Sequence, residues 1–189
     1  MSHELREPAE PSKRLFFALP CAPVQRRAIA QWRSALELRS GRPVPAENFH
    51  LTLVFLGAVA VAQIPAICAA AASVSTPGEP LRVPLDRLDI WRRSGILLLA
   101  PEHEPQALRQ LVYALQQALL PLGFVEEPRE FRPHLTLLRD YREPVPESNS
   151  PPSFHLRASH FGLFESHKGR YRLLVEWPLT GNGSPAISV

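Results

Sequence analysis

Several features that would take this chain out of the ordinary globular class are missing from its sequence. The only two cysteines, Cys21 and Cys68, form neither a CxxC pair nor a metal-ligand spacing, so we expect two free thiols in a reducing compartment. No stretch approaches the 18 or more uninterrupted apolar residues of a membrane helix, and the first residues lack the apolar core of a signal peptide. We therefore expect a cytoplasmic protein with no membrane partner.

Lysine is almost absent, and the excess of basic residues is small. Lysine occurs only at Lys13 and Lys168, so arginine supplies nearly all of the 21 basic residues, against 18 acidic ones, for a net charge of +3. The planar guanidinium of arginine is well suited to phosphate. So small an excess nevertheless leaves a nucleic-acid or phosphate partner open.

The chain is long enough, at 189 residues, to bury a core without the help of a metal or a disulfide. Its 21 prolines are spread along the sequence and predict stiff turns between short elements. Polar residues dominate both ends, so we expect flexible tails at 1–13 and 181–189 around one folded domain at 14–180.

Hydrophobic periodicity predicts an alternation of strands and helices. The predicted strands are 15–19, 49–56 (stopped by Gly57), 81–91, 96–100, 131–138, 154–156, 158–164 and 171–177. The predicted helices are 24–38, 61–74 and 105–122, the last with Gly123 as its C-cap. The packing face of the first helix is predicted to contain Val24, Ala28, Trp32, Ala35 and Leu36, and that of the third Leu108, Leu111, Val112, Leu115 and Leu119.

One tetrapeptide, HLTL, occurs at 50–53 and again 84 residues later at 134–137. The same offset aligns the apolar positions of the helices that precede the two copies. A helix, a loop and an HLTL strand therefore occur twice at one spacing. This duplication predicts two similar lobes related by a pseudo-twofold axis, each presenting one HLTL strand.

The two motifs place polar side chains opposite apolar ones, because side chains alternate across a strand. In the first copy His50 and Thr52 share one face with Val54, whereas Phe49, Leu51, Leu53 and Phe55 are expected to pack under a helix. In the second copy Arg132, His134 and Thr136 share a face opposite Phe131, Pro133, Leu135 and Leu137. Two such strands side by side would direct two histidines and two threonines into one cleft.

Paired imidazoles and hydroxyls suit the cleavage of a phosphodiester. A neutral imidazole can take a proton from water while a protonated one gives a proton to the leaving oxygen. The hydroxyls of Thr52 and Thr136 can donate to the phosphoryl oxygens, and Arg132 can add a charge-assisted donor. A metal site built from the two histidines is the weaker interpretation, because HExxH and two-histidine–carboxylate patterns are absent.

Phe16 lies between two residues of opposite strand parity, Leu15 and Phe17. If those two face the core, Phe16 lines the cleft and is available to stack on a base; the alternative is that it too is a core residue. Arg132 is expected to lower the pKa of His134, because a nearby positive charge disfavours the protonated imidazole. No cation lies in the motif of His50, so we expect His50 to keep its proton to higher pH.

The paired HxT motifs in a duplicated chain resemble the two-histidine phosphoesterase superfamily. Within it the sequence resembles the bacterial RNA 2′,3′-cyclic phosphodiesterases of the ThpR/LigT type, also called 2′-5′ RNA ligases. The matching segments are 14–20, 41–44, 48–57, 132–139, 161–166 and 170–179, so the resemblance covers nearly everything but the two tails.

The resemblance implies a bilobal α+β fold, each lobe an antiparallel sheet backed by helices, with the active site between the lobes. It implies hydrolysis of RNA 2′,3′-cyclic phosphate ends to 2′-phosphomonoesters, with His50 as proton donor, His134 as proton acceptor and Thr52 and Thr136 on the phosphate. No cofactor or metal is implied, and we expect a monomer acting on RNA ends, tRNA halves among them.

Three alternatives remain open from the sequence. Some relatives join tRNA halves through a 2′-5′ bond, which is the reverse reaction. A second alternative is a cyclic phosphodiesterase of small nucleotides such as ADP-ribose cyclic phosphate. A third is a non-catalytic protein that binds RNA ends, although binding alone does not require two titratable groups at 50 and 134.

Overall fold

Short strands joined by tight turns make up most of the chain in the computed structural model, which describes residues 9–125, 129–181 and 186–187. The strands are β1 (Ser12–Pro20), β2 (Arg42–Pro43), β3 (His50–Ala60), β4 (Leu81–Leu85), β5 (Arg87–Trp91), β6 (Ile96–Ala100), β7 (Leu135–Arg139), β8 (Phe154–Ala158), β9 (His160–His167), β10 (Arg170–Pro178) and β11 (Ala186–Ile187). The helices are α1 (Pro23–Ser34), α2 (Ile64–Ala72) and α3 (Gln106–Leu119).

The strands form one sheet in each lobe and a smaller third sheet, and all of their pairings are antiparallel. The first lobe has a five-stranded sheet in the order β11-β10-β9-β1-β3, and the second a four-stranded sheet in the order β2-β7-β6-β5. Strands β4 and β8 pair separately. Strands β3 and β7, which carry the two motifs, contact each other. The predicted α+β fold with antiparallel sheets is confirmed.

A strand–helix–strand unit occurs in both lobes. In the first lobe β1, α1 and β3 follow one another, and in the second β6, α3 and β7 do. In each unit the two strands are antiparallel neighbours. Leu51 and Leu53 of β3 and Leu135 and Leu137 of β7 are at most 3% exposed, so the apolar sides of both motifs lie in the core.

Helix α3 follows the sequence prediction closely. All five residues of its predicted packing face are buried: Leu108, Leu111, Val112, Leu115 and Leu119. The helix passes into a 3-10 turn, Leu120–Leu122, and Gly123 ends it in the left-handed conformation with φ of 90°. The predicted C-cap glycine is confirmed.

Helix α1 differs from its prediction in length and in orientation. It ends at Ser34, and Glu37 has a positive φ of 51° that no α-helix continues through. Its buried residue is Ile29, whereas Val24 is 70% exposed. The predicted packing face was therefore wrong.

The turned orientation of α1 comes from Arg33. Its guanidinium donates to the carbonyl oxygens of Val44 (2.6 Å) and Leu137 (2.9 Å), and it lies over the Phe49 ring. These hydrogen bonds draw a charged side chain toward the second motif strand, which a purely apolar pattern does not anticipate.

The segment predicted as one strand at 81–91 is two strands in different sheets. Residues before Asp86 pair with β8 in the small sheet, and residues after it pair with β6 in the second lobe. The Asp86 carboxylate accepts a hydrogen bond from the backbone N–H of Glu102 at 2.8 Å, which fixes the chain where it changes sheet.

Both expected tails contain residues that belong to the first sheet. Strand β1 begins at Ser12, and Lys13 forms an ion pair with Glu165 at 3.1 Å. Residues 1–8 of the expected N-terminal tail lie outside the described residues. At the other end, Ala186–Ile187 pairs with β10 as strand β11.

Strand β3 continues past Gly57, where the sequence predicted its end, because it contains two β-bulges. Ala18 and Phe17 of β1 are opposite Thr52 and Val54, so Leu53 is an extra residue in β3. A second irregularity leaves out Leu56, next to Gly57 with its positive φ of 75°.

The first bulge exchanges the predicted orientations of two residues. Val54 packs against the core, whereas Phe55 is 49% exposed, opposite to the simple alternation that placed Phe55 under a helix. Phe55 consequently lies on the face that carries His50 and Thr52.

Strand β7 contains the same irregularity at the same place. Leu98 and Leu97 of β6 are opposite Thr136 and Leu138, so Leu137 is the extra residue, 84 positions after Leu53. Leu137 and Leu138 are both buried and the next residue, Arg139, is exposed. The duplicated bulge thus brings Arg139 to the His134 face, as its counterpart brings Phe55 to the His50 face.

Replacing Gly57 with Ala is expected to destabilise the protein by about 1–2 kcal/mol, because the side chain would have to occupy a left-handed backbone conformation. Asn tolerates this conformation better, so Gly57→Asn should lose less. Urea unfolding of the three proteins measures the difference. An Ala variant as stable as the wild type would show that the bulge does not require the positive φ.

Candidate active site

His50 is the first residue of β3, and its ring is fixed by hydrogen bonds at both nitrogens. Nδ1 lies 2.7 Å from the carbonyl oxygen of Asn48, and because a carbonyl only accepts, Nδ1 carries the hydrogen. Nε2 lies 2.8 Å from the Thr52 hydroxyl, which donates to it when the ring is neutral. Nε2 is therefore the nitrogen that can exchange a proton.

His134, immediately before β7, repeats this arrangement. Its Nδ1 lies 2.9 Å from the carbonyl oxygen of Arg132, which again stands two residues earlier. The same reasoning assigns the hydrogen to Nδ1 and leaves Nε2 for proton exchange. Thr136 is half-buried two residues further on in β7.

The electrostatics show that the two histidines share one site. The charge of His134 lowers the pKa of His50, and the charge of Arg139 lowers the pKa of both rings. The structure therefore brings together the two motifs, as the duplication predicted, and adds Arg139 to them.

Burial is the largest influence on both imidazoles. It lowers the pKa of His50 from 6.5 to about 4; the hydrogen bond to Asn48 opposes this, and the charges of His134 and Arg139 add to it. Burial also lowers the pKa of His134, with smaller contributions in the same direction from Arg139 and Arg132. The expected influence of Arg132 is present, but the expectation that His50 keeps its proton to higher pH is contradicted.

Aromatic side chains hold the His50 ring in place. The Phe16 and Tyr171 ring centroids lie 5.1 and 5.0 Å from that of His50. Phe16 is on the face opposite the buried Leu15 and Phe17, as its parity predicted, but it is only 4% exposed. Phe16 therefore supports His50 from below and has no ring face open for a base.

Asn48 ties the start of β3 to the β9–β10 hairpin. Its side chain is 8% exposed, and its Nδ2 donates to the carbonyl oxygen of Gly169 at 2.8 Å. Tyr171 follows in the same hairpin and packs edge-on against His50. The residue whose carbonyl orients His50 is thus itself anchored to the segment that covers it.

The surroundings of His134 are more open. The Trp91 ring centroid is 4.3 Å from that of His134, and the Arg132 guanidinium lies over Trp91 at 4.6 Å. Arg132 is half-exposed, so its guanidinium is held beside the site while remaining in contact with solvent.

Four residues of the site were missed by sequence reasoning: Asn48, Trp91, Arg139 and Tyr171. Arg139 carried a usable signal, because it stands as far after His134 as Phe55 does after His50. Trp91 and Tyr171 arrive from other strands, and no local pattern marks them.

The comparisons with known proteins agree with this geometry. The family model "LigT like Phosphoesterase" matches residues 19–98 and again 97–175, one match for each half. The chain is 36% identical over 175 residues to the RNA 2′,3′-cyclic phosphodiesterase of Escherichia coli K12, covering 89% of this chain and 97% of that protein. The structure of E. coli LigT complexed with 3′-AMP superposes with a TM-score of 0.81 at 34% identity, over 90% of this chain and all of the other.

The chain belongs to the LigT-like phosphoesterase family. The resemblance inferred from the HxT motifs is confirmed, and with it the expectation of a hydrolase acting on phosphodiester bonds. A solved structure of a Thermus thermophilus protein shares the fold at 23% identity, with a TM-score of 0.74, over 90% of this LigT-like chain and all of that one.

Two further features are absent from the described part of this LigT-like chain. Within it, no helix has the length and apolarity needed to cross a membrane. No cluster of three or more His, Cys, Asp or Glu side chains in the same residues is arranged to hold a metal ion.

Replacing Arg139 with Gln is expected to raise the pKa of both His50 and His134, because removal of a positive charge favours the protonated ring. The ring protons of the two histidines, followed by NMR against pH, measure both midpoints. Arg82, exposed on β4 in the small sheet, offers the matched control Arg82→Gln. Equal midpoints in wild type and Arg139→Gln would remove Arg139 from the site.

Proposed function

We propose that this protein hydrolyses RNA 2′,3′-cyclic phosphate ends to 2′-phosphomonoesters, with His50 and His134 as the general acid and base. The observation that carries the proposal is the pair of imidazoles in one site, each with Nδ1 bound to a carbonyl and Nε2 left for proton exchange. The printed names of the E. coli and Bacillus subtilis relatives, both RNA 2′,3′-cyclic phosphodiesterases, support the substrate.

In the proposed reaction His134 acts as the base. Its neutral Nε2 takes a proton from water as the water oxygen bonds to phosphorus. The bond from phosphorus to the ribose O3′ breaks, and the Nε2–H of protonated His50 delivers a proton to O3′. His134 gains one proton and His50 loses one, so an exchange with solvent restores the enzyme, and the phosphate stays on O2′.

The hydroxyls and arginines are assigned to the phosphate. Thr52 donates to His50 while that ring is neutral, and protonation of Nε2 releases the hydroxyl to donate to a phosphoryl oxygen. Thr136 has the corresponding place in the second motif. Arg139, whose charge reaches both rings, and Arg132, held over Trp91, supply positive charge to the phosphoryl oxygens.

The donor role of His50 requires a source of the proton that burial disfavours. A bound phosphodiester carries a negative charge, and a negative charge next to an imidazole favours its protonated form. Substrate binding therefore charges His50, which is otherwise neutral at physiological pH because its pKa is about 4.

Adenosine 2′-monophosphate, a product of the proposed reaction, is expected to raise the NMR titration midpoint of His50 by at least one unit, since an adjacent opposite charge shifts a pKa by roughly 1–3 units. Adenosine, which lacks the phosphate, is the matched control and should leave the midpoint where it is. If the nucleotide binds without moving the midpoint, the phosphate does not lie beside His50 and the donor assignment fails.

His50→Ala and His134→Ala are each expected to lower kcat/KM for a nucleoside 2′,3′-cyclic phosphate by roughly 10²–10⁴. His103, an exposed loop residue, provides the control variant His103→Ala. The assays contain EDTA, because both proton transfers are assigned to imidazole, and thermal unfolding confirms that each variant is folded.

Either variant retaining more than half of normal activity would overturn the role of that histidine. Wild-type binding of RNA ends without turnover would favour the alternative of a non-catalytic binder. Formation of a 2′-5′ bond between cyclic-phosphate and 5′-hydroxyl ends, measured in the same preparation, would show that the reverse reaction is also accessible.

We further propose that residues 14–180 act as a single bilobal unit, as a monomer in the cytoplasm. The duplicated strand–helix–strand units and their shared site support one unit. Light scattering at assay concentration tests the monomer, and a dimer mass would contradict it.

A further inference from the structure

Phe55 presents an exposed aromatic ring on the face that carries His50 and Thr52. The extra residue at Leu53 brings it there, and 49% of its surface is exposed, whereas Phe49 and Leu51 of the same segment are buried. An exposed phenylalanine beside catalytic side chains calls for a physical role, because its burial by a ligand is favourable.

The register of β1 locates the ring relative to the phosphate-binding threonine. Ala18 is opposite Thr52 and Phe16 is opposite Phe55, so the two β3 residues stand two β1 residues apart, or roughly 7 Å along the sheet. This is comparable to the distance between a ribose-bound phosphate and the base of the same nucleotide.

Arg14 supports the Phe55 ring from the side away from the histidines. It pairs with Ala58, one step further from Thr52 than Phe55 is, and its guanidinium lies 5.0 Å from the Phe55 ring centroid. The side of the ring that faces Thr52 is therefore the open one. A cation behind an aromatic ring also holds the ring in one orientation.

The second motif shows that this position is directed toward the reacting groups. Arg139 stands at the place of Phe55 in the duplicated strand, after the same bulge, and its charge reaches both histidines. One copy of the position thus carries a cation suited to phosphate, and the other carries a ring suited to a flat apolar group.

We propose that Phe55, backed by Arg14, is the stacking platform for the base of the nucleotide whose cyclic phosphate is opened. This inference rests on the proposed function and narrows its substrate class. Stacking on an aromatic ring accepts any base, because every base has a π-face. The ribose that carries the cyclic phosphate in ADP-ribose cyclic phosphate bears no base, so the platform favours RNA ends over that substrate.

Two substrates that differ only in the base test the proposal: cytidine 2′,3′-cyclic phosphate and methyl riboside 2′,3′-cyclic phosphate. We expect the wild type to prefer the cytidine substrate. Phe55→Ala should lower kcat/KM for the cytidine substrate roughly tenfold to a hundredfold, as is typical for the loss of one stacking partner, and leave the methyl riboside unchanged. Phe55→Tyr should keep the preference.

Further variants separate stacking from folding. Phe55→Leu keeps apolar bulk without a ring, so it should lose the preference while unfolding at the wild-type temperature. Tyr113→Ala, which removes an aromatic side chain that is 61% exposed on α3, is the matched control and should behave as wild type. Arg14→Gln should weaken the preference less than Phe55→Ala does.

The possible failures are distinguishable. If the wild type hydrolyses both substrates and folded Phe55→Ala or Phe55→Leu lowers both equally or neither, the platform is overturned and the proposed function stands. If the wild type hydrolyses neither substrate, the proposed function itself fails.

Discussion

The hydrogen bond from each imidazole Nδ1 to a carbonyl two residues earlier is the interaction on which the site depends. It fixes the tautomer of His50 and of His134 and leaves Nε2 as the reacting nitrogen. A strand is a good frame for this bond, because its backbone hydrogen bonds to neighbouring strands hold the carbonyl in place. Each motif needs only a short strand segment, and the duplication supplies the second copy.

The two copies have diverged in what surrounds this common bond. On the first side the orienting residue is Asn48, buried and anchored to Gly169, and the ring is enclosed by Phe16 and Tyr171. On the second side the orienting residue is Arg132, which is half-exposed and lies over Trp91. An enclosed imidazole and a more open one are suited to different tasks, because only the open one is readily approached by water.

The elements that depend on local sequence were predictable. The five buried residues of α3 and the apolar sides of both HLTL strands follow from periodicity alone, because one face of each packs against the core. The fold class followed from the duplication together with the resemblance, and the two histidines could be named because HxT occurred twice at one offset.

The features that depend on partner strands were not predictable. The bulge at Leu53 arises from the pairing of β3 with β1, and strict alternation therefore misplaced Phe55. The burial of Phe16 arises from Tyr171, which comes from a hairpin near the end of the chain. The orientation of α1 follows from hydrogen bonds of Arg33 to carbonyls that are distant in sequence.

Burial of the histidines has a cost in stability that links pH to folding. An imidazole whose pKa is lowered in the folded state binds protons more readily when the chain is unfolded, so the folded state loses stability as pH falls from about 6.5 toward the folded value of about 4 for His50. The same burial removes water that would compete for Nε2 and strengthens the interaction with an incoming anion. The site therefore trades stability in mild acid for an imidazole that gains its charge only when an anion is bound beside it.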